Sequence, residues 1–280
     1  MPVSALEAGL HIVATPIGNL EDMTLRGLKA LAAADLIACE DTRVTAKLLQ
    51  RYGIRRPLLP YHEHNARAQG ATLLARLDAG EAVALVSDAG TPLISDPGAL
   101  LVTQALASGH RVVPYPGASA LLAALAVAGL PAGRFHFVGF LPPKVKARRK
   151  ALAELASVPD TLVFYETAPR LAASLADMST VLGERPCALC RELTKLHETV
   201  LRGTLPSLAQ GLQDKTLKGE IVLVVGAGAR EDRKSADVEA LLAAALKTSS
   251  MKDAVAHVTA STRLPRREIY AAALKLQEKS

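Results

Sequence analysis

The sequence predicts an α/β protein: two α/β domains, the first a parallel doubly wound sheet and the second a mixed sheet, followed by a small C-terminal helical domain. Three observations predict it. Residues 10–116 alternate short β-branched apolar runs with amphipathic segments, the pattern of strand–helix–strand units. The strand runs in that half are continuously apolar rather than alternating, as burial on both faces requires. In the second half two strand runs flank the short polar stretch Thr194–Glu198, which reads as an antiparallel hairpin and makes that sheet mixed. A chain of 280 residues is too long for one ordinary core, and it divides into residues 1–116, 117–230 and 236–280.

In chain order, the first domain has strand candidates at His11–Ala14, Leu36–Ala38, Leu58–Tyr61, Val83–Val86 and Val112–Tyr115. Helix candidates lie at Thr24–Ala33, Arg43–Arg51, Ala66–Ala79 and Gly98–Ala107, with Thr24 and Thr42 as N-caps because a hydroxyl can accept from the free amides of a first turn. Ala118–Gly129 reads as the helix joining the halves. Phe135–Leu141, Thr161–Tyr165, Cys187–Leu193, Thr199–Gly203 and Glu220–Val225 read as strands. Arg230–Asp237 carries six charges in eight residues and reads as a linker. Beyond it, Val238–Leu246, Lys252–Ala260 and Arg266–Lys275 show helical apolar spacing, with a turn at Ser261–Pro265 between the last two. That arrangement resembles a helix-turn-helix, with Val255, Val258, Leu264, Ile269 and Leu274 as its core; a plain three-helix cap is the alternative.

Composition narrows the function classes. Half the residues are apolar and 21% are charged, as in a globular chain, and no apolar run reaches the length of a membrane span. No basic region precedes an apolar core at the N-terminus, so the expected location is the cytoplasm. A net charge of +6 points weakly to a polyanionic partner. The run Lys144–Lys150 carries five cations and no acid, and reads either as a solvated helix start or as a phosphate-contacting patch. Three cysteines make no disulfide framework, and Cys187 and Cys190 on a strand face opposite sides, against metal or redox use. His62-Glu63-His64 lacks a third ligand. No metal is expected.

The most informative segment is Ser87-Asp88-Ala89-Gly90-Thr91-Pro92-Leu93-Ile94-Ser95-Asp96-Pro97-Gly98, which follows the apolar run Ala82–Val86. Two prolines fix φ and remove donors, so the chain forms a rigid loop at the carboxyl end of a strand, where open α/β sheets bind ligands. Thr15-Pro16-Ile17-Gly18-Asn19 and Pro116-Gly117-Ala118-Ser119-Ala120 follow two other strands in the same way. Three such loops predict one crevice. The first strand is not followed by G-x-G-x-x-G, so the dinucleotide fingerprint is missing.

Together with Ala38-Cys39-Glu40-Asp41-Thr42-Arg43, Gly139-Phe140-Leu141-Pro142, Tyr165-Glu166 and Arg191-Glu192-Leu193-Thr194-Lys195, these segments resemble the ribosomal RNA small-subunit methyltransferase I family. That family is of the tetrapyrrole-methylase type, and the resemblance runs from about Gly9 to Val225. It implies S-adenosyl-L-methionine as cofactor and 2′-O-methylation of a cytidine ribose in the decoding region of small-subunit ribosomal RNA. Naked RNA or the assembled small subunit is the implied partner, and a homodimer the implied particle. Tetrapyrrole methylases usually have Gly-Asp-Pro where this chain has Ser87-Asp88-Ala89. On this reading Pro16, Gly18, Asp88, Ala89, Gly90, Thr91, Ile94, Ser119 and Ala120 cradle the cofactor, with Tyr165 and Leu193 on the opposite wall. A ribose hydroxyl benefits from a carboxylate that accepts its proton, so Asp41 is the first candidate base and Glu40 the second; Asp41 as a mere helix cap is the alternative. Arg43, Arg191 and Lys195 are candidate phosphate clamps, and Lys144, Lys146, Arg148, Arg149, Arg266 and Arg267 further RNA contacts. A methylase of a small anionic metabolite and a non-catalytic nucleic-acid binder compete with this reading. The first leaves the basic run and the tail without a purpose, and the second leaves the three loops unexplained.

Overall fold

In a computed structural model, residues 5–213, 215, 217–227, 233–247, 249–262 and 266–278 are described. The chain separates into two compact units, Met1–Gly226 and Ala227–Ser280.

The first unit contains two sheets. Its opening half runs β1 (Gly9–Val13), α1 (Leu25–Ala33), β2 (Leu36–Cys39), α2 (Thr42–Arg51), β3 (Leu58–Pro60), α3 (Ala66–Asp78), β4 (Ala82–Val86), α4 (Ala99–Ala107) and β5 (Val112–Tyr115). The five strands are parallel in the order β3-β2-β4-β1-β5. Successive residues of each strand face opposite sides, so one run of Val, Ile, Leu and Ala feeds two cores. Leu10, Leu36, Val83 and Leu85 pack against Leu73 and Leu77 of α3 and Leu101 of α4. Val13, Ile37, Ala84 and Val86 pack against Leu31 of α1 and Leu49 of α2 on the other face. Buried His11 bridges the Tyr115 hydroxyl at 3.2 Å and the Glu7 carbonyl at 3.0 Å, and burial pushes its pKa down.

The second half continues with α5 (Ala120–Ala128), β6 (Phe135–Phe140), α6 (Val145–Leu155), β7 (Thr161–Thr167), α7 (Leu171–Leu182), β8 (Pro186–Arg191), β9 (Thr199–Thr204), α8 (Leu205–Leu212) and β10 (Glu220–Val225). The sheet order is β6-β7-β10-β8-β9; β6 and β7 are parallel and the remaining pairs antiparallel. Cys187 faces the core of α6, α7 and α8, whereas Cys190 faces α5, which places the two thiols on opposite sides of the sheet. Burial raises them to about 12 and about 11, so neither is a thiolate near neutral pH.

Strand expectations hold to within a few residues. Two helix assignments need correction. The cap of α2 is Asp41, one residue before Thr42, because the Asp41 carboxylate accepts from the Arg43 amide at 2.8 Å. The helices α7 and α8 are missing from the sequence reading altogether; their apolar positions are diluted by Ala, Ser, Thr and Gly.

The second unit is three helices, α9 (Arg233–Leu246), α10 (Met251–Thr262) and α11 (Arg266–Glu278). Its core is Val238, Leu242, Val255, Val258, Ile269 and Ala273. Leu274 is exposed rather than in the core, and Ala273, one position earlier, takes the inward site. The expected turn residues 263–265, Leu264 among them, lie outside the described residues, as do residues 230–232 of the expected linker. Among the described residues no helix is long and apolar enough to cross a membrane.

Candidate active site

Parallel strands deliver their carboxyl ends to one edge, and in this sheet the loops after β1 and β4 leave side by side. A two-way backbone pair locks them. The Thr15 amide donates to the Gly90 carbonyl at 2.8 Å and the Gly90 amide to the Thr15 carbonyl at 3.0 Å. The Thr15 hydroxyl adds a bond to the Ser87 carbonyl at 3.1 Å. Gly90 has φ of 83°, a conformation that costs a side-chain-bearing residue free energy. The third loop joins through Thr91, whose hydroxyl donates to the Ala118 carbonyl at 3.2 Å. Ser119 then caps α5 by accepting from the Leu122 amide.

Between these loops and the strand ends of the second sheet lies a cavity of about 630 Å³. Ile17, Ala89, Gly90, Thr91, Ile94, Ser119 and Ala120 form one wall, and Tyr165, Cys190, Leu193 and Val222 face them. Tyr165 is braced edge-on by Phe137 and Phe140, with ring centroids 4.9 and 5.6 Å away. Eight expected cofactor residues therefore meet at one cavity: Ala89, Gly90, Thr91, Ile94, Ser119, Ala120, Tyr165 and Leu193.

Three do not line it. Pro16 and Gly18 flank the wall residue Ile17 in the first loop. A Cβ on Gly18 would fall 2.4 Å from two carbons of Lys195, so the glycine makes room for that side chain. Asp88 accepts from the Asp41 amide at 3.0 Å and ties the end of β4 to the end of β2 instead of facing the cavity.

Other expected roles change with the geometry. Asp41 is the helix cap. Side-chain and backbone hydrogen bonds from Arg43 hold its carboxyl down at about 2, so it is a poor proton acceptor. That bond in turn occupies the Arg43 guanidinium, 2.6 Å from Asp41. Glu40 is half-buried, and burial with the nearby Asp88 charge raises its pKa. Arg148 is not a free RNA contact. It is buried in α6, with its Nε 2.7 Å and Nη2 2.6 Å from Asp177 Oδ2. Arg149 occupies the other Asp177 oxygen at 2.6 Å. Of the basic run, Lys144, Lys146 and Lys150 stand exposed, and Arg149 is exposed as well but paired with Asp177. Arg191 braces the β8–β9 turn through the Lys218 and His197 carbonyls and the Thr199 hydroxyl. Lys195 bridges Glu192 at 2.8 Å and Glu220 at 2.9 Å. Arg266 and Arg267 are exposed at the start of α11, where the helix dipole disfavours cations, so helix stability does not explain them.

Asp96, inside the quoted motif but without an assigned role in the sequence, is on the cavity wall. Burial, then the neighbouring Glu40 and Asp88 charges, push it up to about 6, against a hydrogen bond from Ser87. The missed signal was its place at the far end of the Pro/Gly loop, where it looks like another turn acid.

Comparisons with known proteins follow the same outline. Residues 9–209 match the family model described as Tetrapyrrole (Corrin/Porphyrin) Methylases, and residues 232–277 the RsmI C-terminal HTH domain. A Mesorhizobium japonicum protein named Ribosomal RNA small subunit methyltransferase I is 49% identical over 100% of this chain and 96% of its own. A Pseudomonas aeruginosa protein of the same name is 48% identical over 97% and 98%. Among solved structures, a uroporphyrin-III C-methyltransferase from Thermus thermophilus, complexed with S-adenyl homocysteine, superposes with a TM-score of 0.56 at 23% identity, covering 79% of this chain and 99% of that one. Diphthine synthase gives a TM-score of 0.62 at 16% identity over 78% and 89%. These two likenesses concern the fold. Identity near one half along the whole length decides the branch: the chain belongs to the ribosomal RNA small subunit methyltransferase I family, on the tetrapyrrole-methylase fold.

Proposed function

We propose that this chain transfers a methyl group from S-adenosyl-L-methionine to the 2′-hydroxyl of a cytidine in the decoding region of small-subunit ribosomal RNA. The observation that carries the reading is the cavity walled by loops of one sheet and strand ends of the other. Its residues fit the cofactor. The volume suits a nucleoside-sized ligand, and Ile17, Ile94, Leu193 and Val222 offer apolar walls. The Asp96 carboxylate gives the wall a negative group that complements a sulfonium and an ammonium.

When bound, the cofactor supplies an activated methyl on a positively charged sulfur. The chain's own contribution is alignment. Gly90 and Thr91 hold the first wall through the Thr15 and Ala118 bonds, and braced Tyr165 fixes the second. Methyl transfer needs the reacting hydroxyl in line with the methyl–sulfur bond, and these fixed walls supply that alignment.

Exposed Lys144, Lys146, Arg266 and Arg267 are the RNA contacts we retain, because they are exposed cations in helix first turns or just before them. The particle is a homodimer acting in the cytoplasm, as the family resemblance implies. The test is methyl transfer from a labelled donor to immature small subunits, naked RNA and tetrapyrrole precursors, followed by identification of the modified nucleoside. Label on a tetrapyrrole, or on an RNA base instead of a ribose, refutes the reading. Light scattering tests the dimer.

A further inference from the structure

We infer that Lys218 holds the phosphate beside the reacting ribose, a substrate contact that no sequence motif announces; this rests on the methylation reading above. Lys218 is the only cation among the described residues that line the cavity, against three carboxylates, Asp96, Glu166 and Glu220. An RNA strand brought to such a wall needs a compensating positive charge, and the cations expected to give one are engaged elsewhere. Arg43 is paired with Asp41, and Lys195 lies between Glu192 and Glu220. Arg191 is taken up by two carbonyls and the Thr199 hydroxyl. Arg170, next to the wall residue Pro169, reaches the Leu141 carbonyl and Glu166. The Lys218 carbonyl has a partner, but its ammonium has no hydrogen-bond or ion-pair partner among the described residues.

The main chain around this residue is fixed while its arm is free. Arg191 Nη1 donates to the Lys218 carbonyl at 3.1 Å. Next in sequence, Gly219 has φ of 97°, and a Cβ there would fall 2.5 Å from the Glu192 carboxyl carbon. The Glu220 amide donates to Glu192 Oε1 at 3.0 Å, and the Glu192 amide donates to the Glu220 carbonyl at 3.0 Å. The turn that enters β10 is therefore pinned to the end of β8, and only the four-carbon stem of Lys218 must be ordered when a ligand binds. Such a lysine is a movable point charge on a rigid base, which suits phosphate.

The position suits the strand and not only the charge. Lys218, Gly219 and Glu220 are exposed, Ile221 and Val222 are buried, and all five line the cavity. β10 thus runs from the lip of the cavity to its floor, with Lys218 at the lip together with exposed Phe140, Thr167 and Pro169. A 2′-hydroxyl placed for methyl transfer carries its 3′-phosphodiester on the adjacent ribose carbon, so the phosphate follows the ribose to the lip. The competing anion is the carboxylate at the cofactor's amino-acid end. It travels with an ammonium and a sulfonium, so it brings no net negative charge to the wall, whereas the phosphodiester does.

Lys218→Met, compared with wild type on immature small subunits, tests the inference, with Lys218→Arg as the variant that keeps the charge. Loss of one charge-assisted phosphate contact raises the KM for subunits by about 10–100-fold and leaves kcat within about threefold. The log–log salt dependence of subunit binding flattens by about 0.7–0.9. Cofactor affinity in titration calorimetry stays at the wild-type value. So does the melting temperature, because an exposed side chain without a partner contributes little to folding. Lys218→Arg recovers most of the affinity for subunits. An unchanged KM and salt slope in Lys218→Met overturns the inference. A loss of cofactor affinity with the salt slope intact also overturns it, by assigning the lysine to the cofactor's carboxylate. A Lys218→Arg variant as impaired as Lys218→Met does the same, by making the effect one of shape instead of charge. If wild type labels no RNA ribose, the function reading itself fails, which is a different result from an active wild type matched by its variant.

Discussion

Replacing Asp177 by Ala isolates a buried charge whose energetic consequence can be worked from the coordinates. Asp177 is 3% exposed and Arg148 is 3% exposed. The carboxylate answers both Arg148 and Arg149, one on each oxygen. Without it, Arg149 turns to solvent, but Arg148 keeps only the Pro143 carbonyl at 3.2 Å. An uncompensated buried guanidinium costs about 3–5 kcal/mol. For a folding unit of this size that lowers Tm by roughly 6–20 °C. The pair also has a pH signature. Burial pushes the Asp177 carboxyl up, but the hydrogen bonds from Arg149 and Arg148 outweigh it and hold the pKa below the ordinary 3.8. Its stabilisation is therefore complete above the unfolded value and disappears as pH falls through the lower, folded one. Calorimetric melts of wild type, Asp177→Ala and the double variant Arg148→Met/Asp177→Leu measure it. The double variant recovers most of the loss because no charge remains buried. A single variant melting within about 2 °C of wild type, under about 1 kcal/mol, refutes the assignment and returns Arg148 to the set of available RNA contacts.

Other predictions follow from the site. Gly90→Val places a β-branched side chain at a φ of 83°, with its Cβ 3.4 Å from Ile17; titration calorimetry should find cofactor affinity reduced about tenfold or more, and unchanged affinity in a folded variant removes Gly90 from the site. Asp41→Asn keeps a capping oxygen and loses only the Arg43 charge pair, so methylation should stay within about threefold of wild type, less than 1 kcal/mol in the barrier; a loss of 10²-fold or more would restore Asp41 as the base. Arg266→Glu/Arg267→Glu should weaken subunit binding and flatten the log–log salt dependence by about 0.7–0.9 per lost phosphate contact, with cofactor binding unchanged; identical slopes would make the helical unit a structural cap.

Most of the fold was legible because parallel strands announce themselves. Val83–Val86 and Val112–Tyr115 are apolar without interruption, and turn residues bound them. The helices α7 and α8 were not, since burial of Ser174 and Asp177 blurred the apolar stripe of the first, and the second is only eight residues long with Gly211 in its last turn. At the site, composition of the loops indicated where the cavity is, and eight of its residues followed. Roles decided by long-range partners stayed hidden. Nothing near Arg148 in sequence points to Asp177, 29 residues away, and nothing local distinguishes Asp41, which caps a helix, from Asp96, which faces the cavity. Charge type is written in the chain, but counter-charge is a property of the fold.

The missing side chain at Gly18 has a consequence for how the cavity wall can be altered. Lys195 occupies the space a Cβ would take, and its ammonium ties together Glu192 and Glu220, the latter on the cavity wall. One hydrogen atom in the loop of the first sheet thereby sets how closely a hairpin turn of the second can approach. Any larger residue at that position acts as a shim, forcing the lysine off its carboxylates and spreading the two loops apart. Substitution at this one position thus reaches the cavity wall indirectly, through Lys195 and Glu220.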